Sequence, residues 1–176
     1  MKQRMQRQPR GSHLPEGPLF IWIVLFFLFL PLLDFGAVFL RSTFLYMAVH
    51  NAARNAARSR SFLNDVSGQP SATNIANSTV SNVKKMWNGV NVSSVLTQIV
   101  ITDVNTDVVS TQDNPLATPA DDANNTYQIQ VTVTGTVDPL VTFNMPWFGA
   151  LPGLTKSVPV TMIDRQYVEN PQGLVL

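Results

Sequence analysis

The 176-residue chain contains no cysteine and only two histidines, His13 and His50. The absence of cysteine excludes structural disulfides, thiolate zinc sites and cysteine nucleophiles. The sequence also lacks a glycine-rich phosphate loop, an HExxH motif, an EF-hand loop and a Gly-x-Ser-x-Gly elbow. We therefore predict a protein that is not an enzyme and that uses no cofactor and no metal.

The acidic residues leave two alternatives to that prediction. Asp113, Asp121 and Asp122 form a loose cluster, but their spacing does not match an EF-hand loop, so a solvated loop is favoured over a calcium site. A hydrolase built on paired carboxylates stays open on spacing alone. It is disfavoured because the acids lie in loops rich in Asn and Pro, with no histidine beside them.

Charge is distributed unevenly along the chain. Residues 1–10 contain four basic residues and no acid, whereas the chain from Ser61 onward has four basic residues against nine acidic ones. A nucleic-acid-binding domain concentrates Lys and Arg on its folded part. The mildly acidic C-terminal part therefore predicts no nucleic-acid partner.

A long uncharged and almost wholly apolar segment runs from Pro18 to Leu33. With its flanks, residues 17–40, it provides the roughly 20 residues that a helix needs to cross a ~30 Å hydrocarbon core. The basic residues before it predict a cytoplasmic N-terminus. A cleaved signal peptide is disfavoured because its apolar core is usually about 7–15 residues long. A buried helix of a soluble protein is disfavoured because residues 20–29 are apolar on every face.

The helical pattern continues beyond the apolar segment. No Gly or Pro interrupts residues 37–67, and the unit NAAR occurs twice, at 51–54 and 55–58. Ala48, Ala52 and Ala56 recur every four residues, which predicts a stripe of small side chains where another element packs closely. We divide the chain into a basic cytoplasmic leader (1–16), a transmembrane helix (17–40), a stalk continuation of that helix (41–66) and an extracytoplasmic domain (67–176).

The last of these segments has the pattern of an α+β domain. A second helix is predicted over 71–87, capped by Ser71 or Thr73 and ended by the turn Asn88-Gly89. Alternating strands are predicted at 95–104, 126–137 and 156–168, with a weaker one at 107–111. Pro159 predicts an edge position or a bulge for the last strand. We expect the long helix and the second helix to pack on one face of a three- or four-stranded antiparallel sheet.

Two stretches resemble a known family. "RGSHLPEG", with Gly11 followed by Ser12 and by Glu16 as the fifth residue, resembles the site where prepilins are cut after a glycine. "LPLLDFGAVFLRSTFLYMAVHNAARNAARSRSF" and "FGALPGLTKSVPVTMIDRQYVE" resemble the two ends of TadE-like proteins of the tight-adherence (Flp/Tad) pilus system. The resemblance implies a pseudopilin or minor pilin, processed by a prepilin peptidase and inserted in a bacterial inner membrane. Its implied partners are other pilin-like subunits and pilus assembly proteins.

Asp34 interrupts the apolar segment, and a carboxylate inside a bilayer is costly. One interpretation places Asp34 at the far edge of the membrane, where an exposed carboxylate costs little. The other pairs it with Arg41, two helical turns further on, or with a neighbouring subunit. The resemblance assigns Glu16 to pairing with a neighbouring subunit.

The favoured interpretation is thus an assembly protein with its C-terminal domain in the periplasm or outside the cell. The alternative is a membrane-anchored periplasmic binding module. That module would recognise a ligand through the loop "MPWFGALPG", with Trp147 and Phe148 as contact residues.

Overall fold

The computed structural model describes residues 16–142 and 149–176, and the helices and strands below lie in those ranges. They are α1 (Glu16–Val24), a π-helical segment (Leu25–Phe29), α2 (Leu30–Ala56), α3 (Ala72–Met86), β1 (Val90–Asp103), β2 (Val109–Gln112), β3 (Asn125–Val137), β4 (Val158–Tyr167) and a C-terminal 3₁₀ turn (Pro171–Val175). The fold is α+β, with one long apolar helix, a second helix and a four-stranded antiparallel sheet. The predicted fold class is confirmed.

One continuous helix is formed by α1, the π-helical segment and α2. Its residues Gly17–Ala56 make up a stretch of 40 residues. The π-helical segment lies directly before Pro31, which has no backbone N–H to donate and whose ring would clash with the carbonyl four residues earlier. The N–H of Leu30 donates to the carbonyl of Leu25, one residue further back than in an α-helix. The wider turn lets the helix pass the proline without ending.

Within residues 16–142 and 149–176, no other part of the chain covers the first half of this helix. Every large apolar side chain from Leu19 to Phe29 is exposed, and only 6% of the helix's most apolar 18-residue window is buried. A core helix of a soluble protein would be mostly buried, so this is a helix long and apolar enough to cross a membrane. The structure is therefore compatible with a single-pass membrane protein.

The second half of the helix is the spine of the domain that follows, which we call the head (residues 57–176). Leu45, Val49, Ala52 and Ala53 are fully buried in the core between α2, α3 and the sheet. The helical part of the predicted stalk (residues 41–66) is therefore packed into the head.

The helix also ends at Ala56, ten residues before the predicted end, and that prediction is wrong. The amide of Ser59 donates to Ala56 at 3.1 Å and its hydroxyl to the carbonyl of Ser61 at 2.9 Å, local bonds that compete with a helix. The turn lets Phe62 enter the core, where it is fully buried.

α3 begins as predicted. Ser71 is its N-cap, with its hydroxyl accepting from the amide of Asn74 at 3.3 Å. Asn88 and Gly89 follow the helix, and Gly89 adopts φ 85°, a conformation that favours glycine. The chain then enters β1 at Val90, five residues earlier than predicted, because a register shift between Val92 and Ser94 breaks the alternation that marks a strand.

The sheet order is β2-β1-β3-β4, with all neighbours antiparallel. β4 is an edge strand, the first of the two positions predicted from Pro159. The core-facing side chains of β3 are buried as the alternation predicts: Tyr127, Ile129, Val131 and Val133.

The opposite face of the sheet is polar. A chain of hydrogen bonds crosses it, from Arg165 to Gln130 (2.6 Å), from Gln130 to Gln98 (2.8 Å) and from Gln98 to Asp113 (2.7 Å). This network lets Gln130 be only 7% exposed without losing its hydrogen bonds.

Candidate functional site at the junction of helix and head

The head is tied to the long helix at the point where the helix enters it. The residues after β3, Asp138 to Val141, lie against α2 beside Arg41 and Asp34. Asp34 and Arg41 are two turns apart, about 10 Å along a helix, which an extended segment of three residues also spans. The segment therefore runs along the helix toward its apolar half, and we call residues 138–141 the clamp segment.

Asp34 holds the lower end of the clamp segment. Its carboxylate accepts a hydrogen bond from the amide of Val141 at 2.9 Å, and the side chain is only 1% exposed. The expectation that this carboxylate is exposed is wrong, because the head covers this turn of the helix, whereas its position at the membrane edge stays a prediction. The bond from Val141 satisfies one of the two carboxyl oxygens and offsets part of the cost of burying this polar side chain, while Oδ2 is buried with no hydrogen-bond partner among the described residues.

Arg41 holds the upper end. Its guanidinium donates to the carbonyl oxygens of Asp138 at 2.6 Å and of Pro139 at 3.1 Å. Asp34 and Arg41 are thus joined through one segment of the head, in place of the direct pair that their spacing suggested. Any pairing of Asp34 with a neighbouring subunit stays a prediction.

Asp138 connects the clamp segment to the sheet. Its carboxylate accepts from the hydroxyl of Ser157 at 2.6 Å, just before β4, and from the side-chain amide of Asn91 at 3.0 Å, on β1. Its own amide donates to the carbonyl of Gly89 at 2.8 Å. Sequence analysis missed Asp138, although an aspartate followed by proline directly after a strand is a turn signal.

Gly89 leaves room for Arg41 in addition to adopting a positive φ. A Cβ atom at this position would lie 2.7 Å from the Arg41 guanidinium, which would then have to shift away from the carbonyl oxygens it binds. Phe44, one turn above Arg41, stacks on Trp87 with ring centroids 4.0 Å apart. The end of α3, the start of β1 and the clamp segment therefore all meet residues 34–44 of the helix.

The predicted stripe of alanines is buried inside the head. Ala48, Ala52 and Ala56 are at most 3% exposed, and Ala52 and Ala56 belong to the core between α2, α3 and the sheet. The stripe therefore packs against this chain itself. The exposed large side chains of α2 lie on its other faces, among them Phe39, Leu40, Tyr46 and Met47.

The other predicted site residues fall partly outside the described ranges. Gly11 and Ser12 lie outside them, as do Trp147 and Phe148. Glu16 is described only as the first residue of α1.

The acidic residues at the far end of the head stabilise turns. Asp121 accepts a hydrogen bond from the side chain of Asn124 at 2.8 Å. This hydrogen bond is the main cause of the lowered pKa of Asp121. Asp113 accepts from Gln98 on the sheet, and Asp122 lies 3.4 Å from the side chain of Gln172. In the described ranges, no group of three or more His, Asp or Glu residues is arranged to hold a metal ion.

A shallow groove lies between α3 and the first half of β1, with a volume of about 600 Å³. Asn74, Asn77, Ser78 and Ser81 line one side, and Val92 and Val95 the other. The lining side chains that the structure describes include no ionisable group.

Comparison with protein-family models, with curated proteins and with solved structures found no match to this chain. The resemblance to TadE-like proteins therefore remains a prediction from the quoted motifs.

Proposed function

We propose that this chain is a non-catalytic, single-pass membrane protein of the pseudopilin-like or minor-pilin type, acting in assembly of a tight-adherence pilus. The N-terminus would be cytoplasmic, the helix would cross the inner membrane, and the head would lie in the periplasm or outside the cell. The basic leader and the TadE-like motifs support this orientation and class.

One observation carries the assembly role. The helix continues through the apolar segment into the head without a flexible joint, and it keeps large apolar side chains exposed on the surface that the head leaves uncovered. Phe39 is 71% exposed and Tyr46, seven residues later, is 48% exposed. Leu40 is 56% exposed and Met47, seven residues later, is 53% exposed.

A spacing of seven residues is two helical turns, so each pair lies on one line along the helix. A stripe of this kind suits a second long helix lying alongside. Because it continues the membrane-spanning half, subunits anchored side by side in one bilayer would present it to each other. We call Phe39, Leu40, Tyr46 and Met47 the outer stripe.

Oxidative cross-linking tests the assembly role directly, because the native chain has no cysteine. M47C, expressed in membranes with the other subunits of its system, should form a disulfide-linked species with itself or with a partner carrying a matching cysteine. V108C, at an exposed position between β1 and β2, is the matched control and should not. Equal cross-linking of the two variants would contradict packing through the outer stripe.

Processing is tested separately by the intact mass of protein from native membranes. A mass that corresponds to Ser12–Leu176, lost in the variant G11V, would support prepilin-type cleavage. An uncleaved mass in both proteins would leave a membrane anchor and remove the role of a prepilin peptidase.

A further inference from the structure

The end of the head nearest the apolar half of the helix carries exposed apolar and basic side chains together. α3 ends there, with Trp87 stacked on Phe44 of the helix. The loop before β4 also reaches it, where a Cβ atom at Gly153 would lie 3.3 Å from the ring of Phe35. We call the exposed side chains at this end the basal face: Lys85, Met86, Leu140, Val141, Leu151 and Lys156.

The basal face lies at the height where the helix would leave a bilayer. Asp34 is 17 residues after Gly17, a helical rise of about 26 Å against a hydrocarbon core of ~30 Å. The boundary of the core therefore falls within about a turn of Asp34, to which Val141 is hydrogen-bonded. Leu140, 58% exposed, immediately precedes Val141.

Charge separates along the same axis. Of the four basic residues from Ser61 onward, Lys84 and Lys85 lie in the last turn of α3 and Lys156 lies just before β4, all at the basal end. The opposite end, where α2 stops and β1 turns into β2, carries more acids than bases: Asp103, Asp107, Asp121, Asp122 and Glu169 against Arg58 and Arg60, with Arg58 paired to Glu169. The lysines of this mildly acidic head thus lie at its basal end, while its opposite end has an excess of acidic residues.

We propose that the basal face is a membrane-contact surface, which seats the head on the phospholipid headgroups of the leaflet where the helix emerges. The lysines would lie near lipid phosphates, and Leu140, Val141 and Leu151 would enter the boundary between headgroups and acyl chains. Asp34 and Arg41 act as positioning residues that hold the clamp segment at this depth. The inference rests on the proposed membrane anchoring.

The absence of native cysteine allows single labels to test the contact. L140C, L28C and V108C place an environment-sensitive nitrobenzoxadiazole label on the basal face, in the proposed span and at the far end of the head. The full chain is reconstituted in phosphatidylcholine vesicles containing a minority of phosphatidylglycerol, with nitroxide quenchers attached either to the lipid headgroup or to the acyl chain.

We expect the label at position 140 to lose emission with the headgroup quencher and with a shallow acyl quencher. The label at position 28 should lose emission with a deep acyl quencher, and the label at position 108 with none. If position 28 is quenched but position 140 behaves like position 108, the anchor stands and the membrane-contact surface is refuted. If position 28 is not quenched, the anchoring itself fails.

A charge reversal tests the electrostatic part. K85E/K156E in the L140C background should reduce quenching at position 140 in the anionic vesicles, whereas K85R/K156R should preserve it. Equal quenching in the two double variants would show that the lysines do not hold the basal face against anionic lipid. Equal unfolding midpoints of the two variants would exclude a folding defect as the cause of any difference.

Discussion

The two halves of the long helix share a backbone and differ in what surrounds them. From Leu19 to Phe29 large apolar side chains point in all directions and all are exposed, whereas in α2 the buried side chains form one face and become small, as at Ala48 and Ala52. A helix that is apolar on every face needs apolar surroundings, whereas a helix with one face of small residues needs a surface to pack against. The helix therefore changes environment at Asp34, the first fully covered residue along it.

The largest effect expected from this comparison is on the stability of the head. Leu45→Ala removes a fully buried side chain and should lower the free energy of unfolding by about 2–5 kcal/mol. Leu28→Ala makes the same chemical change at a 66% exposed position of the same helix and should leave it unchanged. Denaturant unfolding of both variants in detergent micelles measures the difference. If Leu28→Ala lowered the free energy of unfolding as much as Leu45→Ala, the proposed difference between the two halves of the helix would be contradicted.

The next largest effect is on membrane insertion, where a substitution in the first half of the helix should matter and one in the second half should not. Leu28→Lys places a charge near the middle of the proposed span, which should cost about 2.5–3.5 kcal/mol of insertion free energy. Met47→Lys, at an exposed position of α2 beside the head, should insert like the native chain. The fraction of protein that resists carbonate extraction from membranes reports insertion. If carbonate extracted the two variants equally, Leu28 would not lie in the membrane-spanning segment.

A smaller effect is expected at the boundary between the halves. Asp34→Leu removes the acceptor of the Val141 amide and should cost about 1.5–3 kcal/mol, as for other bonds to charged groups. Asp34→Asn keeps a side-chain oxygen as acceptor and should cost less. Hydrogen exchange at the Val141 amide distinguishes them, since protection should fall most in the leucine variant. Unchanged protection in both variants would show that Asp34 does not fix the clamp segment.

The smallest effect concerns the far end of the head and depends on pH. The pKa of Asp65 is lowered from its ordinary value of 3.8, chiefly by the hydrogen bond from the backbone amide of Ser71. The unfolded chain therefore takes up this proton at a higher pH than the folded one, so the stabilisation is present above 3.8 and is lost as the pH falls through the lowered pKa. Asp103 and Asp121 change in the same direction.

Unfolding midpoints at a series of pH values test this assignment. Asp65→Asn should be less stable than the native chain at neutral pH, and the gap should close in acid, where the native carboxyl is also neutral. A gap for Asp65→Asn that stays constant across the series would contradict the assignment.

The sequence predicts local structure well where a local signal exists. Ser71 marks the start of α3, and the alternation of Tyr127 to Val133 marks the central strand, because caps and two-residue periods depend only on neighbouring residues. The end of α2 is harder to predict, because the local bonds of Ser59 combine with the burial of Phe62 in the core, a tertiary contact with no sequence signal. The partner of Asp34 lies 107 residues away along the chain, and no sequence period connects them.

We propose that one half of the long helix lies in the bilayer and that the other half lies in a head outside the cytoplasm. Labelling of single cysteines with a membrane-impermeant maleimide in intact bacterial cells tests it most directly. We expect L63C, at an exposed position just after α2, to react in intact cells, and L28C to react only after the membrane is dissolved and the protein denatured. Labelling of L63C only after the cells are opened, or equal labelling of both positions in intact cells, would contradict the account.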